Sequence, residues 1–159
     1  MKVSVKTLTK ENFLCWGHFI SADDTTGLKE LSIANYVGNL AVADVGEKVS
    51  LSILNPFKRD LALKFMEQHK KTHEICVAIH EDCIITVARD ANGEPDPSSI
   101  EAFVLKEGDT VVYSPEVWHW VPYATGDGKC KQLIIYKDQT GANDFIKKEL
   151  QQPVELELR

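Results

Sequence analysis

From Val49 onward the chain alternates short apolar-rich segments with polar punctuation. "VSLSIL" closes at Asn55-Pro56, "LALKFMEQH" at a Lys-Lys-Thr turn, "EICVAI" at His80-Glu81-Asp82 and "CIITVAR" at "DANGEPDPSS". "EAFVL", the turn "KEGD", "TVVYS", "VWHWVPY", the turn "TGDGK" and "QLIIYK" continue the pattern. Short strands with turn signals at this spacing predict an antiparallel β-barrel or sandwich over about Val49 to Lys137. Near the N-terminus, Thr9 predicts the N-cap of a short helix, with Phe13 and Trp16 on one side and Gly17 ending it. At the other end "ANDFIKKEL" has helical spacing, Phe145 and Ile146 toward Glu149 and Leu150. It predicts a second helix packed outside the barrel, stopped by Pro153. The expectation is a single, mainly β domain over 1–159 with short flanking helices.

Bulk composition narrows the partners. The 159 residues are 43% hydrophobic and 26% charged, within the normal globular range. A net charge of −6 with no basic stripe disfavours nucleic acid. No apolar run approaches membrane-spanning length and "MKVSVKTLTKENFLCWG" lacks a signal-peptide core, so a cytoplasmic protein without a membrane partner is expected. Cys15, Cys76, Cys83 and Cys130 show no CxxC spacing and read as ordinary thiols.

The polar residues inside the strand pattern carry the chemistry. Strand side chains alternate between faces, so Leu61, Leu63, Phe65, Glu67 and His69 share one face of "LALKFMEQH". The face with the largest apolar residues also carries a carboxylate and an imidazole. Glu74 follows across a turn that brings two strands side by side, and "GDTVVYSPEVWHW" supplies His119 on a later strand. A carboxylate–histidine set drawn from several strands suits a first-row divalent metal. Glu67, His69, Glu74 and His119 are the candidate ligands, and Glu67, Glu74 and His119 the candidate catalytic groups. His73 and Glu74 are adjacent and point oppositely, so His73 is expected beside the site, as a substrate contact rather than a ligand. Tyr113 is a candidate hydrogen-bond donor to a substrate. Trp118 and Trp120 are expected on opposite sides of their strand, with Trp118 a candidate for the pocket wall.

These segments resemble the cupin superfamily. Its first motif matches at Glu67, His69 and Glu74, with Glu67 where a histidine usually stands, and its second at Gly108, Pro115 and His119. Within that superfamily the chain is most similar to the ureidoglycolate lyase family. "LTKENFLCWGHFI", "FMEQHKKTHEICVAI", "VARDANGEPDPSSIEAFVL" and "VVYSPEVWHW" look like its segments in order. The resemblance implies a cupin barrel (a double-stranded β-helix or jelly roll), a homodimer and a divalent metal such as Ni, Zn, Mn or Fe. It also implies a small-molecule substrate, with metal-assisted release of urea from ureidoglycolate or cleavage of a related hydroxy-acid adduct. Where the family carries a basic residue before its Trp-His, this chain has Ser114, Pro115 and Glu116. That substitution favours the alternative of a cupin binding or isomerising a neutral sugar or polyol, with a tryptophan as its aromatic wall.

Overall fold

The computed structural model describes residues 1–158. The first elements are β1 (Lys2–Thr7), α1 (Lys10–Phe13), β2 (Gly17–Ile20), β3 (Lys29–Glu30), β4 (Asn35–Tyr36) and β5 (Val49–Leu54). The central ones are β6 (Ala62–Gln68), β7 (Glu74–His80), β8 (Cys83–Ala88), β9 (Asp90–Ala91), β10 (Glu94–Pro95) and β11 (Glu101–Leu105). The last are β12 (Thr110–Tyr113), β13 (Trp118–His119), β14 (Tyr123–Ala124), β15 (Lys131–Lys137), α2 (Thr140–Asn143) and β16 (Ile146–Glu157). The fold is mainly β, as the punctuation of the sequence predicts.

Two sheets make the domain. One runs β11-β1-β16-β6-β13-β8-β14, and an additional β11–β8 pairing closes six of its strands into a ring. The other is β2-β12-β7-β15-β5. The ring is mixed rather than purely antiparallel, because β1 lies parallel to both β11 and β16. β8 is buried along its whole length, and its alternation shows why. Cys83, Ile85 and Val87 join a cluster with Cys76, Ala78, Val111 and Ile134 of the second sheet. Ile84 and Ala88 face the other way, into a second cluster with Ala102, Trp118, Val154 and Leu156. A strand apolar on both faces is the signature of a layer covered on both sides.

The expected N-cap at Thr9 holds, but the helix is shorter than expected, ending at Phe13 with Leu14 as its C-cap rather than at Gly17. Thr9 caps α1 with a reciprocal box, in which the Asn12 N–H donates to Thr9 Oγ1 and the Thr9 N–H donates to Asn12 Oδ1. Gly17 then enters β2 at φ +140, where an added Cβ would lie 1.9 Å from the Val112 carbonyl oxygen. No other residue fits that approach of backbone to backbone.

The C-terminal expectation fails. The tail after Asp144 is not a helix but the twelve-residue strand β16, paired with β6 and β1. The segment is rich in good helix formers, yet propensity is a weak prior that tertiary pairing overrides. Val154 and Leu156 sit in the core, and Pro153 falls in the irregular stretch between Glu149 and Val154 where the β6 pairing shifts register. An irregularity of this kind is where a strand accepts proline.

Candidate metal and substrate site

Strand register assembles the site. His119 on β13 is directly opposite Glu67 on β6, and Glu74 on β7 is directly opposite Tyr113 on β12. His69 follows β6, and its backbone carbonyl accepts the Glu116 N–H at 2.7 Å, tying the end of β6 to the approach to β13. The ligand-type atoms of Glu67, His69 and His119 lie within 4.8 Å of one another. Glu74 engages both imidazoles: its Oε2 is 3.0 Å from His69 Nε2 and its Oε1 is 3.6 Å from His119 Nε2. Glu67 Oε1 is 3.9 Å from His119 Nε2.

Each imidazole is oriented through its far nitrogen. His69 Nδ1 is 2.7 Å from the Asp144 carbonyl oxygen, and His119 Nδ1 is 3.0 Å from that of Val117. A carbonyl only accepts, so Nδ1 carries the hydrogen in both rings and a neutral ring presents a bare lone pair at Nε2. Those lone pairs face carboxylate oxygens, which are acceptors too. Acceptors facing acceptors require a cation between them, either protons or a metal ion. His119 Nε2 is buried and has no hydrogen-bond partner, since 3.6 Å is too long for a bond. Two oriented imidazoles, the Glu67 carboxylate as a third ligand and an unpartnered buried nitrogen therefore fit a divalent ion.

Electrostatics follow from the same packing in the metal-free state. Burial opposes charge on His119, but Glu74 and then Glu67 override it and hold its pKa up at about 9. Burial also works against ionised Glu74, yet His119 and His69 together keep its carboxyl well below the usual range. Burial dominates at Glu67 and pushes its pKa up. The direction for His69 is upward as well: burial lowers it, and the bond to Glu74, the Glu74 charge and the Asp144 carbonyl together outweigh that.

Glu67, His69 and Glu74 line a cavity of about 400 Å³. His119 backs them, stacked on Tyr113 with ring centroids 4.6 Å apart and planes 9° from parallel. Chemically, such a site offers metal ligands, one further carboxylate in reach of a bound molecule, and walls from β5, β15 and the α2–β16 corner.

A model of the ureidoglycolate lyase family matches residues 1–157. The chain belongs to that family. Comparison with curated protein sequences gives no match. Among solved structures the chain is similar to Bacillus subtilis oxalate decarboxylase. The form at pH 4.6 is 20% identical with a TM-score of 0.42. One described for the EPR parameters of its Mn(II) centres is 22% identical, also with a TM-score of 0.42. Each match covers 64% of this chain and 23% of the other, so the chain spans less than a quarter of those structures.

Not every residue singled out from sequence reaches the cavity of this family member. Trp118 is fully buried in the second cluster, and its Nε1–H donates to Asp90 Oδ1 at 2.9 Å. Trp120 packs against the same cluster, because side chains two apart in a strand share a face. Neither tryptophan walls the cavity, whose aromatic lining is Tyr136 and Phe145 instead. Tyr113 is buried against Phe13 and supports the His119 ring instead of lining the cavity. His73 lies away from the site, with Nδ1 3.1 Å from the Asp44 backbone N–H and carbonyl oxygen. Sequence reasoning missed Asp144. Its carbonyl orients His69, and its carboxylate accepts the Lys70 and Lys71 N–H groups at 2.7–3.0 Å. It also missed Cys76, whose thiol donates to Glu74 Oε1 at 3.2 Å. No local signal marks either residue, since their partners are set by tertiary pairing.

Proposed function

We propose that the protein is a metal-assisted lyase that breaks the carbon–nitrogen bond of ureidoglycolate or a related hydroxy-acid adduct. The observation that carries this reading is the buried set of acceptors around the partnerless His119 Nε2, opening through Glu67, His69 and Glu74 onto a cavity. Glu67, His69 and His119 would hold the ion. A divalent ion bound there supplies Lewis acidity that lowers the pKa of a substrate hydroxyl.

Glu74 is the remaining carboxylate on the cavity wall and acts as the proton carrier. It takes the hydroxyl proton of the carbinolamide. The carbonyl of glyoxylate forms as the carbon–nitrogen bond breaks, and the electron pair goes to the leaving nitrogen. Glu74 then returns the proton to that nitrogen, releasing urea, so atoms and charge balance. The Cys76 thiol, donating to Glu74 Oε1, holds the carboxylate in place for both transfers.

The test is glyoxylate release by metal-loaded protein; no turnover above the uncatalysed rate would sink the reading. Glu74→Gln separates the roles further. It should retain metal while turnover falls by about 10²–10⁴, the usual worth of a general acid–base group.

The protein is also proposed to form a homodimer. Leu31, Ile33, Tyr36 and Val42 are exposed on the segment between β2 and β5. Light scattering at micromolar concentration should give twice the chain mass.

A further inference from the structure

The walls of the cavity do not match the ligand that the family description names. Beyond the metal-binding end, the lining is Ile53 and Leu54 of β5, Val121, Ile134 of β15, and Phe145, with Ser52, Tyr136, Thr140 and Gly141 between them. The Thr140 hydroxyl already donates to the Lys137 carbonyl at 2.7 Å. No lysine or arginine lines this cavity among the described residues. Two large apolar residues of the lining are exposed: Ile53 at 55% and Phe145 at 46%. Large apolar side chains left open beside a polar buried site form an apolar lip where a ligand would leave the metal.

A ureido group carries several N–H donors and a carbonyl, and each loses water on entering such a passage. The apolar side chains return no hydrogen bonds, and the Ser52 and Tyr136 hydroxyls are too few to replace all that the group loses. An aromatic or branched alkyl group in the same place loses nothing polar and covers Phe145 and Ile53. The carboxylate and hydroxyl of a hydroxyglycine unit, by contrast, suit the end where His69 and the ion would sit.

We infer that the cavity takes N-acyl-2-hydroxyglycines with an apolar acyl group, N-benzoyl-2-hydroxyglycine being the simplest, in preference to ureidoglycolate. This rests on the lyase reading for its chemistry but not for its binding preference. The reaction is the same in form: the hydroxyl proton leaves, the carbon–nitrogen bond breaks, and the nitrogen is protonated to give benzamide and glyoxylate.

Two measurements separate the inference from the reading beneath it. Binding is compared by calorimetry on protein with its metal, using N-benzoylglycine and N-carbamoylglycine. Both lack the hydroxyl and cannot be cleaved, so they differ only in the group beyond the amide carbonyl. The benzoyl compound should bind at least about tenfold tighter, the scale of apolar discrimination in a pocket. Phe145→Ser or Ile53→Ser should reduce that ratio several-fold, and both positions are exposed enough for the fold to survive. Equal or tighter binding of N-carbamoylglycine overturns the inference, as does a ratio unmoved by both substitutions. Glyoxylate release is then compared for the two hydroxylated compounds. Faster cleavage of ureidoglycolate overturns the inference and leaves the lyase reading standing. Release from neither sinks the lyase reading, while the calorimetric ratio still decides which ligands the cavity prefers.

Discussion

His119 is held from three directions: Tyr113 stacks on its face, the Val117 carbonyl takes its Nδ1–H, and Glu74 and Glu67 face Nε2. In the proposed site, a side chain constrained in this way would serve a bound cation rather than the scaffold. His119→Ala should therefore reduce bound metal to a small fraction of the wild-type content, read by elemental analysis. The circular dichroism spectrum should stay β-type, with a stability loss of about 1–3 kcal/mol for the buried carboxylates left short of a partner. Full metal content in that variant would remove His119 from the site. A pH dependence follows from the same residue. In metal-free protein its pKa stands at about 9 against an ordinary 6.5, so the folded state binds the proton more tightly than the unfolded. That stabilisation is complete below the unfolded value and is lost as pH rises through about 9. Chelator-treated protein should melt progressively lower across that window, and Glu74→Gln should flatten the trend. Metal and proton compete for the same nitrogen, so adding metal at neutral pH should release protons measurable with an indicator dye.

At the scale of elements, the legible parts of the sequence are those where local pattern and tertiary demand agree. The strands from β5 to β15 are bounded by turn residues, and parity along β6 places Glu67 and His69 together without any knowledge of the fold. "VWHWVPY" reads as one strand, but the stretch from Trp120 to Pro122 separates β13 from β14, each two residues long. The tail was not legible, because Lys, Glu and Leu favour helix locally while β6 and β1 offer strand edges far away in sequence. Asp144 marks the cost of that gap: its interactions with the end of β6 span more than seventy residues. Asp144→Ala should cost about 1–3 kcal/mol, since backbone N–H groups of Lys70 and Lys71 lose their acceptor. It should also weaken metal retention through the freed corner beside His69. Leu156→Ala, in the buried half of β16, should cost about 2–5 kcal/mol in denaturant titration. Were β16 a loosely attached tail, that loss would be near zero.

For the whole molecule, the two apolar clusters meet back to back across β8 and β11, and the site sits where the ring and the second sheet come together. Glu67 and His119 belong to one sheet and Glu74 to the other, so the site registers how the two sheets are aligned. The six-strand ring leaves few open edges, whereas β5 ends the second sheet beside the cavity. The irregular stretch of β16 between Glu149 and Val154 bears on how such a chain can change length over evolutionary time. A single residue added to β6 would turn Glu67 and His69 to the opposite face, because strand parity has no intermediate setting. The slack is instead lodged in the neighbouring strand, at Leu150 to Pro153, which carries no ligand. Insertions and deletions among relatives should therefore collect in this stretch and avoid Leu63 to His69, making β16 the tolerant partner that lets its neighbour keep count.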